Sequence, residues 1–147
     1  MIAALRGAIY EALKRQEDEL KMFERLAGEA KDAKLKDFLK FMADDTKKDI
    51  NMMKHLNLHS IIKFGLHMKF EAPKVVIDET IINAISDKAG AREILKIAID
   101  QLNANIEYYD HIAEHALYPE VKRLFRILSD KELEDKSRMK AFMDMLE

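Results

Sequence analysis

The sequence contains no cysteine and no tryptophan, and only two prolines and four glycines in 147 residues. Without cysteine there are no disulfides and no thiolate-bound zinc or iron, which fits a reducing compartment. So little proline and glycine suits long helices joined by short turns. Neither sign of charge dominates: 25 Lys and Arg face 27 Asp and Glu, a formal net charge of −2. That balance gives no general attraction to nucleic acid or to an anionic membrane surface. No apolar run approaches the ~18–20 residues needed to cross a bilayer. The apolar start Met1–Gly7 is too short for a signal peptide and is broken by Arg6. A soluble, cytoplasmic chain with no nucleic-acid or membrane partner is expected. Also absent are a Ser/His/Asp nucleophile arrangement, a glycine-rich phosphate loop and a basic-aromatic patch.

What is present is helical period. With 48% apolar and 35% charged residues, the chain is of globular composition and long enough for one domain with a real core. Leu5, Ile9, Ala12, Leu13, Leu20, Phe23, Leu26, Ala27 and Ala30 recur at steps of three and four, predicting an amphipathic helix from Ile2 to about Ala30. Asp32 is placed to cap a second helix that runs to about Leu56 through Leu35, Phe38, Leu39, Met42, Thr46, Asp49 and Met53. The short connection makes this pair an antiparallel hairpin, about residues 2–56. A second hairpin, about 91–146, carries Leu95, Ala98, Leu102, Ile106, Tyr109 and Ala113. Pro119 then opens its last helix, through Val121, Leu124, Leu128, Glu132, Asp135, Met139 and Phe142. Residues 57–90 lack one sustained period. With Gly65, Pro73, the β-rich Val75-Val76-Ile77 and a possible short helix from Asp78 to Ser86, they read as a long crossover.

Shifting the first hairpin by 86 residues lays it on the second without a gap: Ala12 meets Ala98, Phe23 meets Tyr109, Ala27 meets Ala113, Asp49 meets Asp135 and Met53 meets Met139. Any two amphipathic hairpins match in apolar period. Alanine on alanine and aspartate on aspartate at interior steps go further and indicate a duplication. The expected fold class is all-α: a four-helix bundle of two hairpins joined by a crossover, in one domain spanning 1–147. A crossover of this length permits hairpin exchange between chains, so a homo-oligomer is expected, at least a dimer and conceivably helix-swapped.

Three stretches, Ala12–Ala27, Ile97–Ala113 and the matched turns Asp32–Lys36 and Tyr118–Lys122, resemble the rubrerythrin-like branch of the ferritin-like superfamily. The resemblance implies a ferritin-like bundle. It also implies a two-iron centre built from a Glu seven residues before the aromatic of each hairpin's first helix, and a Glu-x-x-His on each second helix. Residues i and i+3 share a helix face, so such a motif aims two ligands at one point. Carried over residue by residue, the positions are Gln16, Thr46 with Asp49, Leu102, and Glu132 with Asp135. Only Glu132 keeps the family's residue type.

Glu132, Asp135 and Asp49 are the candidate metal ligands, with Glu19, Gln16 and Thr46 as helpers. An all-oxygen set favours Mn, Mg, Ca or a single iron. The other reading of the same residues is a neutral hydrogen-bonded cluster, in which Gln16 and Thr46 donate to Asp49 and Asp135 and carboxyls share a proton. On that reading, changing Asp49 and Asp135 together to Asn and Leu leaves stability level or raises it. The leading expectation is a non-catalytic protein that has lost the di-iron centre, holds no cofactor and has a structural or partner-binding role. The alternatives are a metal-binding protein with a reduced carboxylate site, for iron or another divalent ion, and an active peroxidase or iron oxidase. The pairs His55/His59 and His111/His115 read as exposed, and the nine methionines as core filling. Tyr109 reads as a packed aromatic whose hydroxyl finds an interior acceptor.

Overall fold

The computed structural model describes residues 2–57, 59–71 and 77–146. All regular structure among them is helical: α1 (Ile2–Glu29), α2 (Ala33–Lys54), α3 (Ile61–Leu66), α4 (Glu79–Asn83), α5 (Lys88–His115) and α6 (Pro119–Met145). Neither Pro73 nor Val75-Val76 lies within the described residues, and Ile77 has no regular structure. The crossover is more helical than its sequence suggests. Ile61 and Phe64, three residues apart, are buried by α3, and a π-helical turn (His67–Glu71) extends it. A run this short carries too little period to be legible in sequence. No described helix is long and apolar enough to cross a membrane.

The two hairpins form as their turns require. Pro119 sits at the start of α6, where its missing N–H costs nothing and its fixed φ favours the helix. Asp87 caps α5 by accepting from the Gly90 backbone N–H at 3.0 Å, and a Cβ on residue 90 would collide with that carboxylate. Asp32 behaves differently from expectation. It stands at the N-cap position of α2 but makes no side-chain cap bond there. Its carboxylate instead accepts from Ser86 N at 2.9 Å, Ser86 Oγ at 2.7 Å and Asp87 N at 3.2 Å. These bonds hold the carboxyl below its ordinary pKa, the Ser86 backbone foremost, and tie the first hairpin's turn to the start of the second.

Helix α1 packs on α2, α5 packs on α6, and α1 also meets both α5 and α6. Alanines Ala12 and Ala98, each fully buried, are paired by the 86-residue shift. The apolar interior falls into two clusters. One is built around Phe23, Phe38, Leu39, Leu95, Leu102 and Phe142. The other holds Leu5, Met53, Phe64, Tyr109, Phe125 and Leu128. Each large side chain buried in this way contributes about 1.5–3 kcal/mol of apolar transfer. Between the two clusters every long helix also turns polar residues inward.

Candidate functional site

That polar layer is supplied by all four long helices. From α1 come Gln16 and Glu19, from α2 Asp45, Thr46 and Asp49, from α5 Asn105, and from α6 Lys131, Glu132 and Asp135; none is more than 6% exposed. Spacing of three or four residues keeps each set on one inward face. The 86-residue shift matches Glu19 with Asn105, Asp45 with Lys131, Thr46 with Glu132 and Asp49 with Asp135. The shift thus pairs unlike side chains at three of these four positions and aspartate with aspartate at the fourth.

At its centre is a lysine. Lys131 Nζ lies 2.7 Å from Asp49 Oδ2, 3.4 Å from Asp135 Oδ2 and 3.9 Å from Glu19 Oε2, with side chains that are nearly inaccessible. Arg138 Nη1 reaches Asp135 Oδ1 at 3.0 Å from the margin. The remaining contacts are made by amides. Gln16 Nε2 donates to Tyr109 Oη at 2.9 Å and to Glu132 Oε1 at 3.0 Å. Asn105 Nδ2 donates to Glu19 Oε1 at 3.1 Å and to Glu132 Oε1 at 3.3 Å. Both hydrogens of each amide are thereby used. Asn105 Oδ1 in turn accepts from Arg15 Nη1 at 3.1 Å, and the Arg15 guanidinium lies over the Tyr108 ring at 3.7 Å. Thr46 Oγ1 lies 2.9 Å from Met42 O and 3.4 Å from Glu19 Oε2; with one hydrogen, it donates to one of them at a time.

The electrostatics follow from burial against charge. Burial alone would discharge Lys131, but Asp135, Asp49, Glu19 and Glu132 outweigh it and hold the ammonium well above its ordinary pKa. The acids move upward despite their cation. Burial pushes Asp49 to about 6 and Asp135 to about 7, with Lys131 opposing in both cases. Glu132 is raised well above the carboxyl range by burial, then by the charge of Glu19 and a hydrogen bond with it. Tyr109 is raised by burial and by Glu132 and Glu19. An ion pair ordinarily lowers its acid. Here desolvation of several crowded carboxylates exceeds the attraction of one ammonium. Gln16 Oε1, in a residue with no exposure, has no hydrogen-bond partner among the described residues.

The structure thus gathers all six residues chosen from sequence, Gln16, Glu19, Thr46, Asp49, Glu132 and Asp135, into one layer, but in different partnerships. Gln16 serves Glu132 and Tyr109, and Thr46 lies against Glu19 and its own helix. The bonds from these two to Asp49 and Asp135 are not formed; both aspartates face Lys131. The Tyr109 hydroxyl accepts from Gln16, where an acceptor for it was expected. Lys131 and Asn105 were missed. The signal that could have found Lys131 is its step of four before Asp135, together with its match to Asp45 under the 86-residue shift.

As a metal centre, the layer fits two ions poorly. Leu102 belongs to the apolar core, no described imidazole enters the layer, and a cation of the protein's own is in ion-pair contact with three of the carboxylates. Glu19, Glu132 and Asp135 do each bring an oxygen within 4.8 Å of the other two, a spacing suited to one ion. Asp49 stands outside that triad. His55, His59, His111 and His115 are exposed and away from it. No protein-family model, curated protein or solved structure matches the chain.

Proposed function

We propose that this chain is a ferritin-like four-helix bundle of rubrerythrin-like descent whose di-iron centre has been converted into an ionic core centred on Lys131. On this reading its role is non-enzymatic, structural or partner-binding, and a second copy of the chain is among the partners it takes. Support for descent comes from the duplicated hairpins, the long crossover and the inward polar steps at Gln16, Thr46/Asp49 and Glu132/Asp135.

The observation that carries the loss of iron is the place of the Lys131 ammonium, 2.7 Å from Asp49 and 3.4 Å from Asp135. A bound metal neutralises converging carboxylates with two or three positive charges. Lysine supplies one, permanently attached and without redox chemistry, and Arg138 adds a second at the edge. Gln16 and Asn105 then bind carboxylate oxygens that would otherwise face a metal. The product is an interior that locks four helices together and no longer handles an oxidant.

Metal content of protein purified from iron- and manganese-replete cells tests this. Well under one metal ion per chain is expected. Two irons per chain with the near-ultraviolet absorption of an oxo bridge would overturn the proposal.

A further inference from the structure

Helix α3 stands against α6 with a hollow beside the contact. The two come closest at Gly65, where a Cβ would meet Ile127 Cδ1 at 3.0 Å. Next to that point lies a cavity of about 510 Å³, and Ile62, Leu66, Met68 and Ile127 give it an apolar lining. Ile62 and Leu66 are one helical turn apart on α3, and they are 57% and 53% exposed. A single exposed aliphatic side chain is ordinary. Two in register along the edge of an apolar hollow make a patch of the kind that meets a partner.

The α6 side of this cavity is charged in order. Arg123, Ile127, Asp130 and Glu134 line it, at steps of four, three and four, so they follow one stripe of the helix. The three charged side chains are exposed, and none forms an ion pair among the described residues. Lys69 also lines the cavity but already has a partner in its own chain. The stripe thus runs from positive through apolar to negative, a pattern that fits a reversed copy of itself. A uniformly basic or uniformly acidic partner would meet a like charge at one end.

We propose that the α3–α6 groove is the face through which two copies of this chain associate, about a two-fold axis at the level of Ile127. This deepens the reading, on which it rests, that a second copy is among the partners the protein takes. Such an axis sets the two α6 stripes antiparallel, so residues equally far before and after Ile127 come level across it. Arg123 then stands level with position 131 of the second copy, about 1.5 Å along the helix from Asp130 there and about 4.5 Å from Glu134. Lys131 at that level is buried against Asp49, which leaves the two exposed carboxylates to meet the guanidinium. Symmetry makes the same arrangement twice. Ile62 and Leu66 of each chain cover the apolar hollow of the other. Protrusion and hollow lie on one patch, as a self-complementary interface requires. Unlike an exchange of hairpins, this association leaves each bundle whole and its ionic core undisturbed.

Sedimentation equilibrium of the full chain, from micromolar to near-millimolar concentration, is the test. A reversible monomer–dimer equilibrium is expected, weak because the patch is small. Arg123→Glu makes the stripe wholly acidic and should weaken the dimer at least roughly tenfold. Asp130→Arg with Glu134→Arg makes it wholly basic and should do the same. Mixed in equal amounts, these two variants should form a heterodimer tighter than either variant's homodimer, because every pair is then restored. Leu66→Glu should abolish association. Far-ultraviolet dichroism and melting temperature show whether each variant is folded; should Leu66→Glu fail that check, the two charge variants and their mixture carry the test. A chain that stays monomeric throughout would overturn the interface and leave the groove to an occupant of another kind. A dimer that neither charge reversal weakens, as hairpin exchange would give, would overturn it too. Two irons in freshly purified protein would refute the converted ionic core and leave these results standing, so the two failures are distinguishable.

Discussion

Replacing Lys131 with methionine keeps the length and volume of the side chain and removes only the ammonium. Three carboxylates, on α1, α2 and α6, then lose the cation that stands 2.7–3.9 Å from them. Breaking a buried ion pair from one side costs about 3–5 kcal/mol, and this is the loss expected at pH 8. The sign of the pH dependence follows from the acids. Asp49 and Asp135 are raised from 3.8 to about 6 and about 7 in the folded chain. A raised carboxyl contributes stability that is fully present below its unfolded value and is lost as pH rises through the folded one. Wild-type stability should therefore climb by on the order of 3–4 kcal/mol between pH 8 and pH 5, taking the two as independent. In Lys131→Met the acids rise further, so acidification rescues the variant and the gap to wild type closes toward pH 5. Urea unfolding of both proteins at pH 8 and pH 5 measures all four quantities. A loss under about 1 kcal/mol at pH 8, or a gap that widens on acidification, would refute the account of Lys131 as the counter-charge. The triple change Lys131→Met, Asp49→Asn and Asp135→Asn should return stability to within about 1 kcal/mol of wild type, because whole buried ion clusters are often replaceable at no cost.

Tyr109→Phe removes the hydroxyl that accepts from Gln16 at 2.9 Å; Phe23 at the matched position shows that the ring alone packs, so a loss of about 1 kcal/mol is expected by thermal or urea unfolding. Asp32→Ala breaks the contacts to Ser86 and Asp87 and should cost about 1 kcal/mol near neutrality. Because that carboxyl is lowered from its ordinary pKa, the cost should vanish as pH falls below about 4, through the carboxylate range. Gly28→Ala meets nothing within 4 Å in the last turn of α1 and should raise stability by about 0.5–1 kcal/mol; a loss in the melting temperature would contradict the helical assignment there.

Period made the long helices legible. Phe23, Leu39, Leu102 and Phe142 recur at steps that only a helix satisfies, and the observed ends lie within about three residues of those read from sequence, the ordinary uncertainty of frayed helix ends. The inward polar steps were legible too, since Thr46, Asp49, Glu132 and Asp135 interrupt apolar faces. Lys131 was not. Lysine is so rarely buried that a lysine beside Asp130 and Glu132 reads as solvent-facing, and only tertiary convergence of Asp49 and Glu19 upon it reverses that. Asn105 escaped because its partners, Glu19 and Glu132, lie 86 and 27 residues away. Changing Asp49 and Asp135 alone to Asn and Leu, which the sequence suggests to be neutral or stabilising, now has the opposite expectation. It strands the ammonium, and a loss of about 3 kcal/mol or more should follow.

The belt between the two apolar clusters has a consequence for alignment. Hydrocarbon interfaces tolerate sliding: a helix displaced by one turn, about 5.4 Å, can present another leucine to much the same groove. A charged lysine resists such a step, because it would part the ammonium from Asp49 and Glu19 together. Lys131, gripped from α1, α2 and its own helix, acts as the index pin of the assembly. It admits a single vertical setting of the second hairpin against the first, and it does so even where the greasy surfaces above and below would accept several.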